Sequence, residues 1–246
     1  MLDIPNNYAS IIQSLLFQFL WKNKPDKIKR QVLYQDHGDD GLRVTNVEIM
    51  FKSLRLGWIQ RLLKNNDEEG DTWSAIPKFY FNKYGGLNFL LRSNYDKKFL
   101  KDSDIPSFYK DILFSFLDLK SLYSSKDEQE MILFNNKEIL IDGRIVFYHD
   151  WVENGVFTLH DVIDASGNFL PFEQFQQRYG INCNFISYFQ VLSAIPSALR
   201  EKVKERAKPI VNFLSGGTLF QLSSVLTIDL LKLRTKDYYW LFLNKR

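Results

Sequence analysis

Residues 131–196 constrain the fold of this 246-residue chain more than any other part, because turn and cap signals follow one another closely there. Two short apolar runs, residues 138–141 and 144–147, flank the dipeptide Asp142-Gly143. This dipeptide is the one that a tight type I′ turn prefers, since both of its residues adopt positive φ angles readily. The pattern predicts a small β-hairpin at this place.

Helix signals follow the predicted hairpin. Thr158 and Asp161 have the spacing of a capping box at a helix start, and Ser166-Gly167-Asn168 is typical of the end of such a helix. Pro171 suits the first turn of another helix, and Gly180 is a stop signal nine residues later. The central segment, residues 131–196, is therefore predicted to fold as a hairpin and a series of short helices.

Apolar residues at helical spacing dominate the rest of the chain. We predict helices at residues 6–21, 46–64, 73–84, 88–99, 108–122, 185–192, 197–208 and 235–243, with the one at 185–192 buried. Residues 31–34 and 42–44 are expected to pair across a loop. The predicted fold class is mainly α with small β-hairpins, in a bundle-like arrangement of one or two subdomains. The acidic run at residues 65–71 is the best linker candidate, which divides the chain into segments 1–66 and 72–246.

The first predicted helix is apolar on one face. That face is made of Ile11, Ile12, Leu15, Leu16, Phe19 and Leu20. Gln13, Ser14 and Gln18 interrupt it, and no apolar run of the chain approaches the ~20 residues that span a bilayer. The pattern predicts an amphipathic helix rather than a membrane span or a secretory signal.

The formal net charge of +3 permits nucleic-acid binding without requiring it, because dedicated binding domains are usually more basic. Cys183 is the only cysteine, which excludes an intramolecular disulfide and a multi-cysteine zinc site and fits a reducing compartment. The only histidines are His37, His149 and His160. We therefore predict no metal or other cofactor, and an intracellular location that is cytoplasmic, nuclear or both.

The pair Asp39-Asp40 is the first candidate for catalysis, since neighbouring aspartates bind the metal ions of polymerases. Such a site needs further carboxylates that converge on two ions about 3.5–4 Å apart. The sequence shows no third carboxylate motif and no nucleotide-binding motif beside the pair, and an Asp before Gly41 is typical of a turn. Each histidine has a neighbouring aspartate, but no nucleophile motif lies near any of them. We predict that the chain is not an enzyme.

A basic cluster follows the first helix and gives the strongest binding hypothesis. It contains Lys22, Lys24, Lys27, Lys29 and Arg30, opposed only by Asp26, for a local charge of +5 − 1 = +4. Each phosphate that such a cluster neutralises adds to the salt dependence of binding. Trp21 at its edge either stacks on a base or fills the core, and its place at the end of an apolar face favours the core. On the residues alone, phosphate contact and an ordinary solvated loop are equally open.

The order of these motifs resembles the region downstream of the reverse transcriptase in polyproteins of LINE-type (non-LTR) retrotransposons. In the central segment the resemblance rests on an L-F-N-N start, the hairpin, Trp151, Gly155, a G-N-F-L-P-F-E-Q-F step and a closing A-I-P. Near the N-terminus, F-L-W-K-N-K at 19–24 with K-I-K-R at 27–30 is similar to the family's F-[LI]-W-x-N-K-x-x-R-I segment. Residues 40–63 match its G-G-L…N…K-[AS]-L…W-I-x-R-L-L pattern, with Asp40-Gly41 at the G-G turn. The match extends from residue 2 to about residue 200.

This resemblance implies a thumb-like, non-catalytic fragment that lies C-terminal to the polymerase fingers and palm. Its implied role is to support the polymerase and to help hold the RNA template or the target DNA, so its partners are a nucleic-acid backbone and the remainder of the polyprotein. The family's catalytic A-D-D motif lies upstream of everything in this sequence. For the basic cluster, the resemblance favours phosphate contact over an ordinary solvated loop. The alternatives are a helical protein-interaction module, a decayed element without independent function and, less favoured, a metal-dependent nuclease.

Overall fold

The computed structural model describes residues 7–64, 72–123, 131–164, 166–205, 219–223 and 226–244. These residues are mainly helical and contain two small antiparallel hairpins, so the predicted fold class is confirmed. The linker candidate at residues 65–71 lies outside the described residues, as does the end of the helix predicted at 197–208. Of the helices that the structure describes, none combines the length and the apolar character needed to cross a membrane.

Most of the predicted helices are present with bounds that differ by a few residues, and the structure adds α-helices that were not predicted. The α-helices of the described residues are α1 (Tyr8–Leu20), α2 (Arg30–Tyr34), α3 (Val47–Lys64), α4 (Ala75–Asn82), α5 (Gly86–Arg92), α6 (Lys97–Asp102), α7 (Ser107–Tyr123), α8 (His149–Glu153), α9 (Phe172–Tyr179), α10 (Phe185–Ala194), α11 (Ser197–Glu205) and α12 (Thr235–Leu243). Single 3-10 turns occupy His37–Asp39, Thr72–Ser74 and Leu159–Asp161.

The described residues form two β-hairpins, of which one was predicted from the sequence. Strands β1 (Leu140–Ile141) and β2 (Arg144–Ile145) pair antiparallel across Asp142 and Gly143, whose φ angles are 51° and 73°. Both angles are positive, as the predicted type I′ turn requires. Strands β3 (Leu219–Ser223) and β4 (Leu226–Asp229) also pair antiparallel, with an irregular register after Gln221. The sequence analysis did not predict this second hairpin.

One buried cluster lies where α3, α7, α12 and the β3–β4 hairpin meet. Ile59 of α3 and Phe116 of α7 are fully buried, and the Phe116 ring meets Phe220 edge-on at 5.5 Å between centroids. Tyr238 and Phe242 of α12 are buried in the same cluster. Residues on both sides of the predicted boundary between 1–66 and 72–246 therefore contribute to one core.

A second buried cluster belongs to the central segment. Trp151 of α8 is 2% exposed, and its ring lies 4.7 Å from Phe175, 5.8 Å from Phe134 and 6.0 Å from Tyr188 between centroids. Aromatic groups at these separations add attraction to the burial of apolar area. The short elements of the segment are thus held together around one indole.

Two buried asparagines join the central segment to the helices before it. The Asn135 Nδ2 donates to the Tyr84 carbonyl oxygen at 2.9 Å, and the Asn94 Nδ2 donates to the Asn136 Oδ1 at 3.0 Å. Asn136 also donates to the Ile132 carbonyl oxygen at 2.7 Å. The N-N of the L-F-N-N motif therefore has a structural role, because these amides satisfy buried backbone groups.

Several local predictions were wrong in ways that have physical reasons. Residues 31–34 are helical rather than extended, because the spacing of Arg30 and Tyr34 places both on one helical face, against the Phe17 ring. They still meet the following segment, since the Val44 N–H donates to the Leu33 carbonyl oxygen at 2.8 Å.

The helix predicted at residues 88–99 is broken into α5 and α6. Ser93 follows the last residue of α5, and its hydroxyl donates to the Phe89 carbonyl oxygen at 2.7 Å. Asp96 then caps α6 by accepting from the Phe99 N–H at 2.9 Å. Both side chains compete with backbone hydrogen bonds, which is why Ser and Asp favour helix ends.

The helix that Thr158 was expected to start is only the 3-10 turn Leu159–Asp161, although the capping box itself is present. The buried Asp161 carboxylate accepts from the Phe157 N–H, the Thr158 N–H and the Thr158 hydroxyl at 2.8–3.0 Å, and from the Tyr179 hydroxyl at 3.2 Å. These bonds hold the carboxylate in place and compensate for its burial.

The prediction that residues 185–192 are buried was only half correct. Tyr188, Val191 and Leu192 of α10 are buried, while Phe185, Ile186 and Phe189 are more than half exposed. An apolar helix is not buried all round when neighbours cover only one of its sides.

Candidate nucleic-acid interface

The basic loop, residues 22–30, begins at a tight helix end. The Asn23 N–H donates to the Gln18 carbonyl oxygen at 2.8 Å, and the Lys22 N–H donates to the Phe19 carbonyl oxygen at 3.2 Å. These two bonds form a Schellman motif in which Lys22 takes the position that glycine usually occupies. Its φ angle is 51° and that of Asn23 is 59°, so the chain turns sharply away from α1.

The four lysines of the loop point into solvent. Lys22, Lys24, Lys27 and Lys29 are all exposed, and none has an acidic partner among the described residues. Asp26, the only acidic residue in the loop, is bound by Arg30, with 2.7 Å between the Arg30 Nε and an Asp26 carboxylate oxygen. A span of eight residues therefore presents four unpaired positive charges.

Arg30 differs from the lysines with which the sequence grouped it. Besides its pair with Asp26, its guanidinium lies 4.3 Å from the centroid of the Phe17 ring, within the range of a cation–π contact. Phe17 is the buried residue of α1. Arg30 thus holds the loop onto the helix, and its availability to phosphate is smaller than that of the lysines.

Several other basic side chains of the surface are paired. The Lys52 Nζ lies 2.8 Å from Asp118 and 3.1 Å from Glu48, and the Lys97 Nζ lies 2.6 Å from the second Asp118 oxygen. Burial alone would lower the pKa of Lys52, but the two carboxylates together raise it above its ordinary value. Arg55 binds Asp111 in the same way, at 2.7 Å. The basic loop differs from these pairs, because four of its lysines lie within eight residues and have no acidic partner among the described residues.

Trp21 is half-buried, and its indole Nε1 is buried without a hydrogen-bond partner among the described residues. An indole in this position contributes more to packing than to base stacking. The aromatic ring that is presented beside the loop is Phe19, which is 87% exposed. Helical spacing places Phe19 on the apolar face of α1, but it does not specify what covers that face.

The apolar face predicted for α1 is exposed. Its outer side forms the α1 stripe, in which every side chain is at least 40% exposed: Tyr8, Ile11, Ile12, Leu15 and Phe19. The helix is attached to α3 by other residues, notably Gln13, whose Oε1 accepts from the Val47 N–H at 2.7 Å. Gln13 thereby caps the start of α3. Leu16, which belongs to the same predicted face, is half-buried.

Asp40 has the position of a turn residue. Its φ angle is 58°, and the following Gly41 donates its N–H to the Asp36 carbonyl oxygen at 2.9 Å. A Cβ on Gly41 would lie 2.0 Å from the Gln35 carbonyl oxygen, so only glycine fits there. No cluster of three or more His, Cys, Asp or Glu side chains suited to a metal ion occurs in the described ranges.

The histidines have local structural surroundings. The His37 Nδ1 lies 3.0 Å from the Gly41 carbonyl oxygen, inside the same turn. The His149 ring meets Phe147 edge-on at 4.7 Å between centroids, and His160 lies in the 3-10 turn Leu159–Asp161. These contacts give His37 and His149 a part in the local packing of the segments that contain them.

Lys120 is a titratable group that the sequence gave no reason to notice. It is 9% exposed, and its Nζ donates to the carbonyl oxygens of Leu91 at 3.0 Å and Ser93 at 3.1 Å. Burial, with smaller contributions from the charges of Arg92 and Lys137, lowers the pKa of Lys120 to about 7. Its partners are carbonyl groups at the end of α5, so it acts as a helix C-cap rather than as a catalytic base.

The chain matches no protein-family model, and comparisons with curated proteins and with solved structures give no match.

Proposed function

We propose that this chain is a non-catalytic module of a LINE-type retrotransposon reverse transcriptase protein, and that its basic loop contacts the phosphate backbone of the RNA template or the target DNA. The observation that supports this most directly is the set of four exposed lysines that have no acidic partners among the described residues. The resemblance of the sequence supplies the parent protein. An intracellular location, in the cytoplasm, the nucleus or both, belongs to the same proposal.

Binding through four lysines has a measurable signature. If each neutralises one phosphate, the logarithm of the binding constant falls with the logarithm of salt with a slope of about −3.6 on duplex DNA or about −2.8 on a single strand. Fluorescence anisotropy with a labelled oligonucleotide over a salt series measures this slope.

The test uses two variants with the same change in net charge. The loop variant Lys22→Gln, Lys24→Gln, Lys27→Gln, Lys29→Gln should flatten the salt slope and weaken binding at low salt by about a hundredfold or more. The control variant changes the exposed Lys64, Lys98, Lys101 and Lys137 to Gln and should bind almost as the wild type does. Equal losses in the two variants would show non-specific attraction and contradict the proposal.

The proposed retrotransposon origin can be tested separately by reading the DNA upstream of the codon for residue 1. An in-frame or lightly damaged polymerase sequence there supports a retrotransposon origin. Unrelated exons would instead favour a co-opted interaction module.

A second candidate, a helical protein-interaction module, is favoured by the α1 stripe. Its residues follow the i, i+3, i+4, i+7 spacing of helices that dock into apolar grooves, and an exposed apolar surface of this kind is a typical interaction site. In the parent protein the stripe would pack against the polymerase segment. The double variant Leu15→Gln, Phe19→Gln should abolish binding to that segment supplied in trans while oligonucleotide affinity stays unchanged. Loss of oligonucleotide affinity alone would count against this second function.

A further inference from the structure

A cleft of about 430 Å³ opens between α2, α3 and α12, on the side of the molecule where the basic loop ends. Its walls include the aromatic rings of Tyr34, Tyr239 and Trp240 and the aliphatic side chain of Leu54, with Arg43 and Lys236 at the rim. Leu54 is 50% exposed and Trp240 is 36% exposed, so the cleft is open to a ligand from solvent. Its volume lies within the range of small-ligand sites.

The cleft and the basic loop are joined by α2. The loop ends at Arg30, the first residue of this five-residue helix, and Tyr34 at its other end lines the cleft. Four residues of α-helix advance about 6 Å along the axis. Arg30 and Tyr34 also contact the same Phe17 ring, which fixes them on one face. The last residue of the basic loop is therefore separated along the helix axis by about 6 Å from a residue that lines the cleft.

The chemistry of the walls indicates a planar, anionic ligand. Aromatic side chains stack on nucleobases of any sequence, and nearby positive charge holds the phosphates. Lys236 is exposed and has no acidic partner among the described residues, whereas Arg43 is held by Asp36 at 2.6 Å. Lys236 is thus the rim charge that is available to a phosphate. A base that is stacked and paired inside a duplex cannot enter such a cleft without leaving the stack.

We infer that the cleft between Tyr34 and Trp240 accepts one unpaired base of a single-stranded nucleic acid whose phosphates lie along the basic loop. This inference rests on the proposed function and makes it narrower, since the loop alone would bind duplex and single strand alike. It assigns the chain a preference for single strands.

The experiment compares a labelled oligouridylate with a blunt duplex of the same number of phosphates. Trp240→Ala removes one wall of the cleft, and Leu54→Trp fills the cleft from an exposed position. Trp73→Ala is the matched control, because Trp73 is 37% exposed and, like Trp240, meets a neighbouring aromatic ring edge-on. Thermal unfolding of each variant checks that the fold is retained.

Trp240→Ala and Leu54→Trp should each weaken oligouridylate binding about tenfold and leave duplex binding unchanged, while Trp73→Ala alters neither. If both cleft variants bind oligouridylate as the wild type does, while the loop variant has lost binding, the inference is wrong and the proposed function stands. Equal weakening toward both nucleic acids also overturns the inference. A wild-type chain that binds neither at low salt contradicts both.

Discussion

The central segment and the N-terminal arm, formed by α1 and the basic loop, use similar residues to opposite effect. In the central segment Trp151 is buried among other rings, and the Asp161 carboxylate accepts four hydrogen bonds. In the arm the α1 stripe is exposed and four lysines have no acidic partners among the described residues. The surroundings of Trp151 and Asp161 are provided by the central segment itself, whereas the arm presents apolar surface and charge that only a partner could match.

The largest expected difference between the regions is in stability. Trp151→Ala should lower the free energy of unfolding by about 3–5 kcal/mol, because it opens a cavity among packed rings. Phe19→Ala removes a side chain that is 87% exposed and should change it by no more than about 0.5 kcal/mol. Urea denaturation measures both. A large loss for Phe19→Ala would mean that the α1 stripe is covered in the isolated chain, and the contrast would fail.

A smaller effect separates the buried Lys120 from the exposed loop lysines. The pKa of Lys120 is about 7 in the folded state against an ordinary value of 10.5, so the unfolded chain binds the extra proton between these values. Stability should therefore rise with pH from about 7 toward 10 and lose this dependence below 7, with a gain of about 2 kcal/mol between pH 7 and pH 9.

Urea denaturation at these two pH values tests the expectation, with Lys120→Met as the variant in which the gain disappears. Lys27→Met is the control, because it makes the same change of side chain at an exposed position of the basic loop. If wild type and Lys120→Met gain equally, another group is responsible for the pH dependence.

The smallest expected effect is a gain in stability rather than a loss, and it concerns a residue of the N-terminal arm. Lys22→Gly relieves a left-handed conformation at φ 51° and should stabilise the fold by about 1 kcal/mol while it removes one loop charge. Lys24→Gly removes a charge at a position without positive φ and should not stabilise. Weaker oligonucleotide binding by a more stable Lys22→Gly variant would show that the lysine acts through its charge. If oligonucleotide binding is unchanged, Lys22 does not belong to the nucleic-acid interface.

Local signals of the sequence located many element ends correctly. Asp142-Gly143 turns the first hairpin, and Gly180 ends α9 with a φ angle of 66°. Asn46 precedes α3 and accepts from the Ile49 N–H at 3.1 Å, as a helix N-cap does. These features depend on residues within a few positions of one another. Their geometry is therefore determined by the local sequence.

The candidate site was predicted less completely. The positions of the four lysines were visible, but the commitment of Arg30 to Asp26 and Phe17 was not. The cleft was missed because its walls come from residues as far apart as Tyr34 and Trp240. The β3–β4 hairpin was missed as well, since Phe220 is explained by its packing on the distant Phe116.

By itself the sequence determined a mainly helical chain with a type I′ hairpin, its main turns and caps, and a basic loop after the first helix. Only the tertiary structure decided which side of α1 is covered, which charges find partners and which aromatic residues line the cleft. The physical reason is that backbone preferences and caps act over a few residues. Burial and ion pairing depend instead on which distant segments meet, and helical spacing alone does not specify that.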